Sequence, residues 1–308
     1  MHTPTGLIPI LATPFTDSGE LDLPSLRSLV EFQLASGVDG VAVFGMASEG
    51  FALTATERAS ILREVRDVGG ANIPIIAGVS GGSTVTALEQ ARAAADGSAD
   101  QVMVLPPCPT KPSPAQVLEF YGDVADGAGV PVMVQDAVGV TGVTLDVSAI
   151  SQLAQISGVT SIKVESPPTP PKIAAISKDR DSNNGDLVVL GGLNAQSLIE
   201  EYDNGAVGTM PACEFSDVLR PILDSLAAGR RDDARAAFNR LLPLIHLGVR
   251  PGMAWAVHKE VLLRRGIIAS AAVRLPARTL DSVTERALGE VLGDLALPQV
   301  RVGHRVFS

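Results

Sequence analysis

Eight short apolar segments, rich in β-branched residues, recur along the 308-residue chain, and most of them follow a turn that contains Gly or Pro. They are Leu7–Leu11, Gly40–Phe44, Ile73–Val79, Gln101–Leu105, Val132–Gln135, Ser161–Val164, Leu187–Leu190 and Ala206–Met210. Each segment is too short for a helix and too uniformly apolar for a strand with one solvated face. The pattern therefore predicts eight parallel strands that are buried on both faces.

Segments with helical periodicity lie between most of these strands, and the strands repeat about every 20–35 residues, which is the length of a βα unit. Glycine precedes several strands, as in Gly37-Val38-Asp39-Gly40 and Gly97-Ser98-Ala99-Asp100, because the end of a helix often requires a left-handed residue. Eight strands alternating with helices predict an α/β protein with a closed (β/α)8 TIM barrel, and a doubly wound open sheet is the alternative. No G-x-G-x-x-G sequence follows the first strand, which disfavours the dinucleotide-binding form of the open sheet.

The sequence after Met210 predicts helices and no further strand. The amphipathic segments are Leu219–Leu226, Asp232–Leu242, Trp255–Leu263 and Ser282–Leu292. We expect a barrel catalytic domain over residues 1–212 and a C-terminal three-helix extension within residues 213–308.

Composition disfavours several classes of protein. The net charge of −10 argues against a nucleic-acid partner, since binding phosphates requires a basic surface. With 46% hydrophobic and 19% charged residues the chain should fold, yet no apolar run reaches the roughly 18–20 residues of a membrane helix. Cys108 and Cys213 form no ligand-spaced metal cluster and suit a reducing compartment. No secretion signal is recognisable at the N-terminus, so we expect a cytoplasmic protein that contacts neither nucleic acid nor membrane.

One lysine lies inside a predicted buried strand. The chain has five lysines against nineteen arginines, and we expect the other four in polar loops or on charged helices: Lys111, Lys172, Lys178 and Lys259. A buried ammonium group is unfavourable unless it is paired or deprotonated. Deprotonation of Lys163 would suit imine formation with a ketone, whereas pairing would suit a purely structural residue, and the pattern alone leaves both readings open.

Glu165 follows Lys163 at a spacing of two residues, so both side chains should project from the same face of the strand. The sequence Ser166-Pro167-Pro168 ends this strand at once. Glu165 is thereby predicted at the C-terminal rim of the barrel, where the chemistry of such barrels takes place. The two residues could form a salt bridge, or they could be an imine-forming lysine beside its proton-transfer partner.

Four motifs occur in an order that is typical of one enzyme family. They are Leu11-Ala12-Thr13-Pro14-Phe15, Gly37-Val38-Asp39-Gly40, the G-x-x-x-E stretch Gly45–Glu49, and Ile162-Lys163. Over about residues 5–295 the chain resembles the N-acetylneuraminate lyase / dihydrodipicolinate synthase superfamily. The resemblance implies a class I, lysine-dependent lyase that acts on pyruvate or other 2-keto acids. It also implies a homotetramer (a dimer of dimers) without metal or organic cofactor.

The chain departs from the well-known members at several site positions. Gln135 stands where the Tyr-Asn-x-Pro motif has its proton-relaying tyrosine, and Val140 matches the arginine that grips a second carboxylate in the synthase. Met46-Ala47 replaces a Thr-Thr pair, and Cys108 falls near a second expected tyrosine. These differences disfavour a dihydrodipicolinate synthase.

Other segments are similar to the L-2-keto-3-deoxyarabonate dehydratase branch of the superfamily. They are Val132–Ala137, Lys163-x-Glu165, Ser48-Glu49-x-Phe51-Ala52-Leu53, and the helical run between Arg220 and Ile245. This similarity implies dehydration of a 2-keto-3-deoxy sugar acid, with Lys163 forming the Schiff base and Glu165 removing the C3 proton. Gln135 is expected to bind substrate oxygens without titrating. We further expect substrate contacts from four residues: Ala47, Ser48, Cys108 and Gly192.

Three functions therefore compete. The first is the dehydratase, and the second is a pyruvate-dependent aldolase or dihydrodipicolinate-synthase-like enzyme that makes or breaks a carbon–carbon bond. The third is a non-catalytic barrel that binds keto acids. Trapping an adduct on Lys163 separates the third from the first two, and product analysis separates those two from each other.

Overall fold

A computed structural model of the protein describes residues 3–108, 110–183 and 185–300. The chain divides into two compact units. The first unit combines Met1–Ile8 with Pro74–Met210, and the second combines Pro9–Ile73 with Pro211–Ser308. The boundary expected near residue 212, between a barrel and a helical extension, stays a prediction.

Eight strands lie within the described residues, and each overlaps one of the eight predicted segments. They are β1 (Gly6–Leu7), β2 (Val41–Val43), β3 (Ile75–Val79), β4 (Gln101–Val104), β5 (Val132–Asp136), β6 (Val159–Val164), β7 (Val188–Gly191) and β8 (Gly208–Thr209). Every residue of β2, β3, β4 and β5 is buried, which explains why the polar–apolar alternation of a half-exposed strand is absent.

Helices follow each strand in the chain. They are α1 (Leu23–Ala35), α2 (Ala55–Gly69), α3 (Thr84–Asp96), α4 (Pro114–Gly127), α5 (Val138–Thr141), α6 (Val147–Leu153), α7 (Thr169–Ser182), α8 (Leu198–Asp203), α9 (Ser216–Ala227), α10 (Arg231–Leu247), α11 (Ala254–Arg264) and α12 (Ser282–Leu295). Thr54, Ser83 and Ser113 cap α2, α3 and α4, because each hydroxyl accepts a hydrogen bond from the third backbone N–H of its helix.

The first unit is built on seven parallel strands in the order β3-β4-β5-β6-β7-β8-β1. Register places Gln135 of β5 beside Lys163 of β6, and Lys163 beside Leu190 of β7. Neighbouring residues in register project to the same face of a parallel sheet. The amide of Gln135 and the amine of Lys163 therefore share one face near the carboxyl ends of their strands.

The second unit contains β2 and six helices within its described residues. Ile10 forms parallel bridges to Ala42 of β2 and to Ala212. In this unit α1 packs against α2 and α9, and α10 packs against α9 and α12.

The chain order of eight parallel strands, each followed by a helix, is that of a (β/α)8 barrel, and the predicted fold class is confirmed. Four helices follow β8, so the first of them, α9, is the eighth barrel helix. The other three form the predicted C-terminal extension. No helix among the described residues is both long and apolar enough to cross a membrane.

Candidate active site

Lys163, Glu165 and Gln135 form a hydrogen-bonded cluster at the carboxyl ends of β5 and β6. Lys163 Nζ lies 2.9 Å from Glu165 Oε1, and the two side chains are only 5% and 14% exposed. Gln135 Nε2 donates to Glu165 Oε2 over 2.7 Å, and Gln135 itself is buried. The three residues that the sequence assigned to catalysis are thus in direct contact.

The carboxylate of Glu165 is held in its charged form. Burial acts to raise the pKa of Glu165, but the Lys163 charge and the Gln135 hydrogen bond outweigh it and leave that pKa below its usual value. The backbone N–H of Leu193 also donates to Glu165 Oε1, over 3.3 Å. At neutral pH, Glu165 can therefore accept a proton.

Gly192 lies against this carboxylate. A Cβ atom at position 192 would be 2.3 Å from Glu165 Cγ and 2.9 Å from its Oε1. Such distances are shorter than any ordinary van der Waals contact, so only glycine leaves room for the observed Glu165 side chain. We expected Gly192 to contact substrate; in the structure its close neighbour is Glu165.

Asp136 belongs to a second polar group at the end of β5. Its Oδ1 accepts from Ser166 Oγ over 2.7 Å, and its Oδ2 lies 2.7 Å from Lys172 Nζ on α7. Burial raises the pKa of Asp136 above its ordinary value, although Lys172 and Ser166 oppose that shift. Lys172 lies on the charged helix α7, as expected, and the structure adds its pairing with Asp136.

A buried carboxyl group, Glu201 on α8, lies close to the same strand ends, and no sequence pattern pointed to it. Its Oε1 accepts a 2.5 Å hydrogen bond from Thr169 Oγ1. Its Oε2 is buried and has no hydrogen-bond partner among the residues that the structure describes. Burial raises the pKa of Glu201 to about 7.

In the second unit, the turn after β2 carries Ala47 and Ser48. Residues Met46–Ser48 form a 3₁₀ turn, and Glu49 adopts a left-handed conformation with φ of 53°. The Ser48 side chain is buried, and its Oγ has no hydrogen-bond partner within the described part of the chain. An unpaired hydroxyl of this kind can bind a ligand oxygen, and the expected contacts of Ala47 and Ser48 with substrate stay a prediction.

Side chains from elsewhere in the second unit fix this turn. Thr13 Oγ1 donates to Ser48 O over 2.6 Å, and Trp255 Nε1 donates to Met46 O over 2.5 Å. Hydrogen bonds at both ends of the turn restrict its conformation.

Glu49 anchors the same turn from inside the second unit. It forms a buried ion pair with Lys259 and accepts from the backbone N–H of Arg274 over 2.9 Å. Burial lowers the pKa of Lys259 to about 8, against the opposing effect of Glu49. Lys259, which we expected on a charged helix, is thus buried and paired.

Cys108 follows β4 as a half-buried free thiol, and its expected contact with substrate stays a prediction. Within the residues that the structure covers, no cluster of three or more His, Cys, Asp or Glu side chains could hold a metal ion.

The sequence model of the dihydrodipicolinate synthetase family matches residues 3–294. The chain belongs to the dihydrodipicolinate synthetase family. The family resemblance stated from the motifs is thereby confirmed.

Two relatives show the range of activities within the dihydrodipicolinate synthetase family. An L-2-keto-3-deoxyarabonate dehydratase of Azospirillum brasilense is 33% identical over 290 residues, which cover 92% of each chain. A 4-hydroxy-tetrahydrodipicolinate synthase of Streptomyces coelicolor is 29% identical over 290 residues, 93% of this chain and 92% of the relative. Among solved structures, a dihydrodipicolinate synthase from Rhodopseudomonas palustris matches with a TM-score of 0.89 at 28% identity. That match covers 94% of this chain and 97% of that one.

Proposed function

We propose that the chain is a cytoplasmic lyase that dehydrates a 2-keto-3-deoxy sugar acid of the L-2-keto-3-deoxyarabonate type through a Schiff base on Lys163. The observation that carries this proposal is the 2.9 Å contact between Lys163 Nζ and Glu165 Oε1 at the end of β6. A lysine and a carboxylate in contact can share the proton transfers that imine chemistry needs. The 33% identity with the Azospirillum dehydratase favours this substrate class.

Imine formation begins with transfer of a proton from the Lys163 ammonium to the adjacent Glu165 carboxylate. The neutral amine then adds to the C2 ketone of the substrate to give a carbinolamine. Glu165 returns the proton to the departing hydroxyl, which leaves as water. The products of this stage are an iminium ion on Lys163 and a carboxylate on Glu165.

Elimination follows on the carbon next to the iminium. The Glu165 carboxylate removes a C3 proton, and the electrons of the C–H bond neutralise the iminium to give an enamine. The enamine expels the C4 hydroxyl, which takes the proton from Glu165 and leaves as water. Transfer of the C5 and C5-hydroxyl protons to C3 and C4 then produces the aldehyde. Hydrolysis of the imine releases 2-oxoglutarate semialdehyde and restores Lys163, with a net loss of one water molecule.

Gln135 orients the base in this scheme. Its amide cannot titrate near neutrality, and it already donates to Glu165 Oε2. The opposite carboxylate oxygen, Oε1, is the one that contacts Lys163. Gln135 thus fixes the carboxylate, so that Oε1 points at the site of imine formation.

Three further assignments belong to the same proposal. The Ala47–Ser48 turn binds the substrate carboxylate, as a turn with several N–H donors suits an anion. Gly192 has no side chain, so it leaves room for Glu165 and lets the substrate lie close to the backbone. Cys108 lines the substrate site without acting as a nucleophile.

Borohydride trapping with pyruvate followed by peptide mass spectrometry tests the Schiff base. We expect a reduced adduct on Lys163 in the unaltered protein and none in Lys163→Ala. Lys178→Ala, on α7, is the matched control that keeps the adduct. If folded protein gives no adduct, the chain is a keto-acid-binding barrel and not a lyase.

Product analysis with 2-keto-3-deoxy pentonates and hexonates tests the reaction type. We expect a semialdehyde in the dehydration assay. Release of free pyruvate instead would assign the chain to the aldolases of the family. Condensation of pyruvate with an added aldehyde would assign it to the synthases.

We also propose that the chain assembles as a homotetramer, as the family resemblance implies. Mass photometry at nanomolar concentration measures this directly. A monomeric mass would refute the assembly and leave the proposed chemistry unaffected.

A further inference from the structure

Two consecutive glycines at the end of β7 separate two carboxyl groups. A Cβ atom on Gly192 would meet Glu165 Cγ at 2.3 Å, whereas a Cβ atom on Gly191 would meet Glu201 Oε2 at 1.9 Å. Consecutive residues of a strand face opposite sides. The Gly191–Gly192 step is therefore a thin wall, with Glu165 and Lys163 on one side and Glu201 on the other.

The environment of Glu201 favours a bound proton. The side chain is 1% exposed. Thr169 Oγ1 donates to Oε1, while Oε2 is buried and has no hydrogen-bond partner in residues 3–108, 110–183 and 185–300. An ionised carboxylate with an unpaired buried oxygen is strongly disfavoured, and a neutral carboxylic acid is the stable form in such a position.

More negative than positive groups act on Glu201. Glu165 and Glu200 raise the pKa of Glu201, burial being the largest cause, and Lys163 and Thr169 oppose them. The α7 helix faces Glu201 with the Thr169 hydroxyl, and the lysine one turn later, Lys172, pairs with Asp136. Glu165 and Lys163 act electrostatically on Glu201, and Glu201 acts on them in return, because electrostatic coupling between two sites is equal in both directions.

We propose that Glu201 is a positioning residue that carries a proton in the resting enzyme, and that its ionisation behind the Gly191–Gly192 wall keeps Lys163 protonated and slows imine formation. This inference rests on the proposed function, since it requires Lys163 to be the imine-forming amine. Loss of the Glu201 proton places a negative charge near the Lys163–Glu165 pair. A negative charge stabilises the ammonium form of Lys163, which cannot attack a ketone.

The inference predicts a specific pH dependence. The rate of imine formation rises with pH, because only a neutral amine adds to a ketone. Because the pKa of Glu201 is about 7, Glu201 ionises over the pH range in which the rate of imine formation rises. Its negative charge makes the increase of that rate with pH less steep in the unaltered protein. Below about pH 6 the neutral Glu201 has no such effect.

The test is the rate of borohydride-trapped pyruvate adduct on Lys163, measured from about pH 5.5 to pH 9. Glu201→Gln keeps the shape of the neutral acid and cannot ionise. We expect its trapping rate to equal that of the unaltered protein below about pH 6 and to exceed it by about three- to tenfold above pH 8. Glu119→Gln, at an exposed position on α4, is the matched control and should leave the inflection of the trapping rate where it is in the unaltered protein.

Thr169→Val supplies a second, independent variant. The Thr169 hydroxyl lowers the pKa of Glu201. Its removal should therefore move the inflection in the plot of trapping rate against pH to higher pH. If the Glu201→Gln variant does not fold, an unmoved inflection in Thr169→Val overturns the inference.

The outcomes separate this inference from the proposed function. If the unaltered protein gives no adduct at any pH, the proposed function fails, and this inference fails with it. If the adduct forms and the ratio of Glu201→Gln to unaltered rates is constant across pH, only the role of Glu201 is refuted.

Discussion

Replacing Gly192 by alanine should displace the carboxylate of Glu165 without removing it. The added Cβ would lie 2.3 Å from Glu165 Cγ and 2.9 Å from its Cδ. An ordinary contact between carbon atoms is about 3.5–4.0 Å, so the Glu165 side chain has to move by more than about 1 Å. A displacement of this size can reduce a rate by about 100-fold.

The assay is exchange of the pyruvate methyl protons with D₂O, followed by NMR. Exchange requires both the imine on Lys163 and a base that removes the C3 proton, and it needs no knowledge of the natural substrate. We expect Gly192→Ala to lower the exchange rate by about 100-fold, and Glu165→Gln to lower it by about 100- to 10,000-fold. Borohydride trapping should still give the Lys163 adduct in both variants, at a lower rate, because Glu165 also takes and returns a proton during imine formation.

Gly122→Ala is the matched control, since a Cβ atom at position 122 would have no neighbour within 4 Å. Exchange in Gly192→Ala at the rate of the unaltered protein would contradict the assignment of Glu165 as the base. Loss of both exchange and trapping in folded Gly192→Ala would show that the glycine supports imine formation instead.

Three further predictions concern stability and binding. The pKa of Glu201 in the folded protein is about 7, above the ordinary 4.5, so its contribution to stability is complete below about pH 4.5 and is lost as pH rises through 7. Between about pH 5 and pH 8 the unfolding free energy, measured by urea denaturation, should therefore fall by about 3 kcal/mol less in Glu201→Gln than in the unaltered protein. An equal fall in both proteins would show that Glu201 does not titrate in this range. Lys259→Met leaves the buried Glu49 carboxylate unpaired and should cost about 3–5 kcal/mol in the same assay, most of it recovered in Glu49→Gln/Lys259→Met; equal losses in both variants would refute the pairing as the cause. Ser48→Ala removes a hydroxyl that has no partner, so it should leave the unfolding free energy within about 0.5 kcal/mol while raising the KM for pyruvate without changing kcat; an unchanged KM would remove Ser48 from substrate binding.

The cluster of Lys163, Glu165 and Gln135, for which we propose a catalytic role, was predictable because it depends on strand periodicity. Lys163 and Glu165 are two residues apart on one strand, and a period of two places their side chains on the same face in any β-strand. Gln135 required one further step, the assumption that β5 and β6 are neighbours. Sequential strands alternating with helices are neighbours in a barrel, and the register confirms this pair.

The other buried charges were not predictable in this way. Lys172 and Lys259 lie on helices that contain charged residues, as expected, but the sequence did not predict their partners. Lys259 is buried and Lys172 half-buried, and each pairs with a carboxylate from a distant part of its own unit: Glu49 for Lys259, and Asp136 for Lys172. Pairing of this kind depends on which segments pack together, and local periodicity carries no information about it.

The amino-acid sequence by itself determined the strand–helix alternation, the family and the closeness of Lys163, Glu165 and Gln135, the candidate catalytic residues. These follow from local patterns of hydrophobicity, from the two-residue period of a strand and from motifs that are contiguous in the chain. Only the tertiary structure decided that Glu201 lies behind Gly191 with an unpaired oxygen, and that Gly192 makes room for Glu165. The approach of α8 to the end of β7 sets both the burial and the electrostatic surroundings of that carboxyl group. Electrostatic coupling depends on distance through space, which a sequence does not specify.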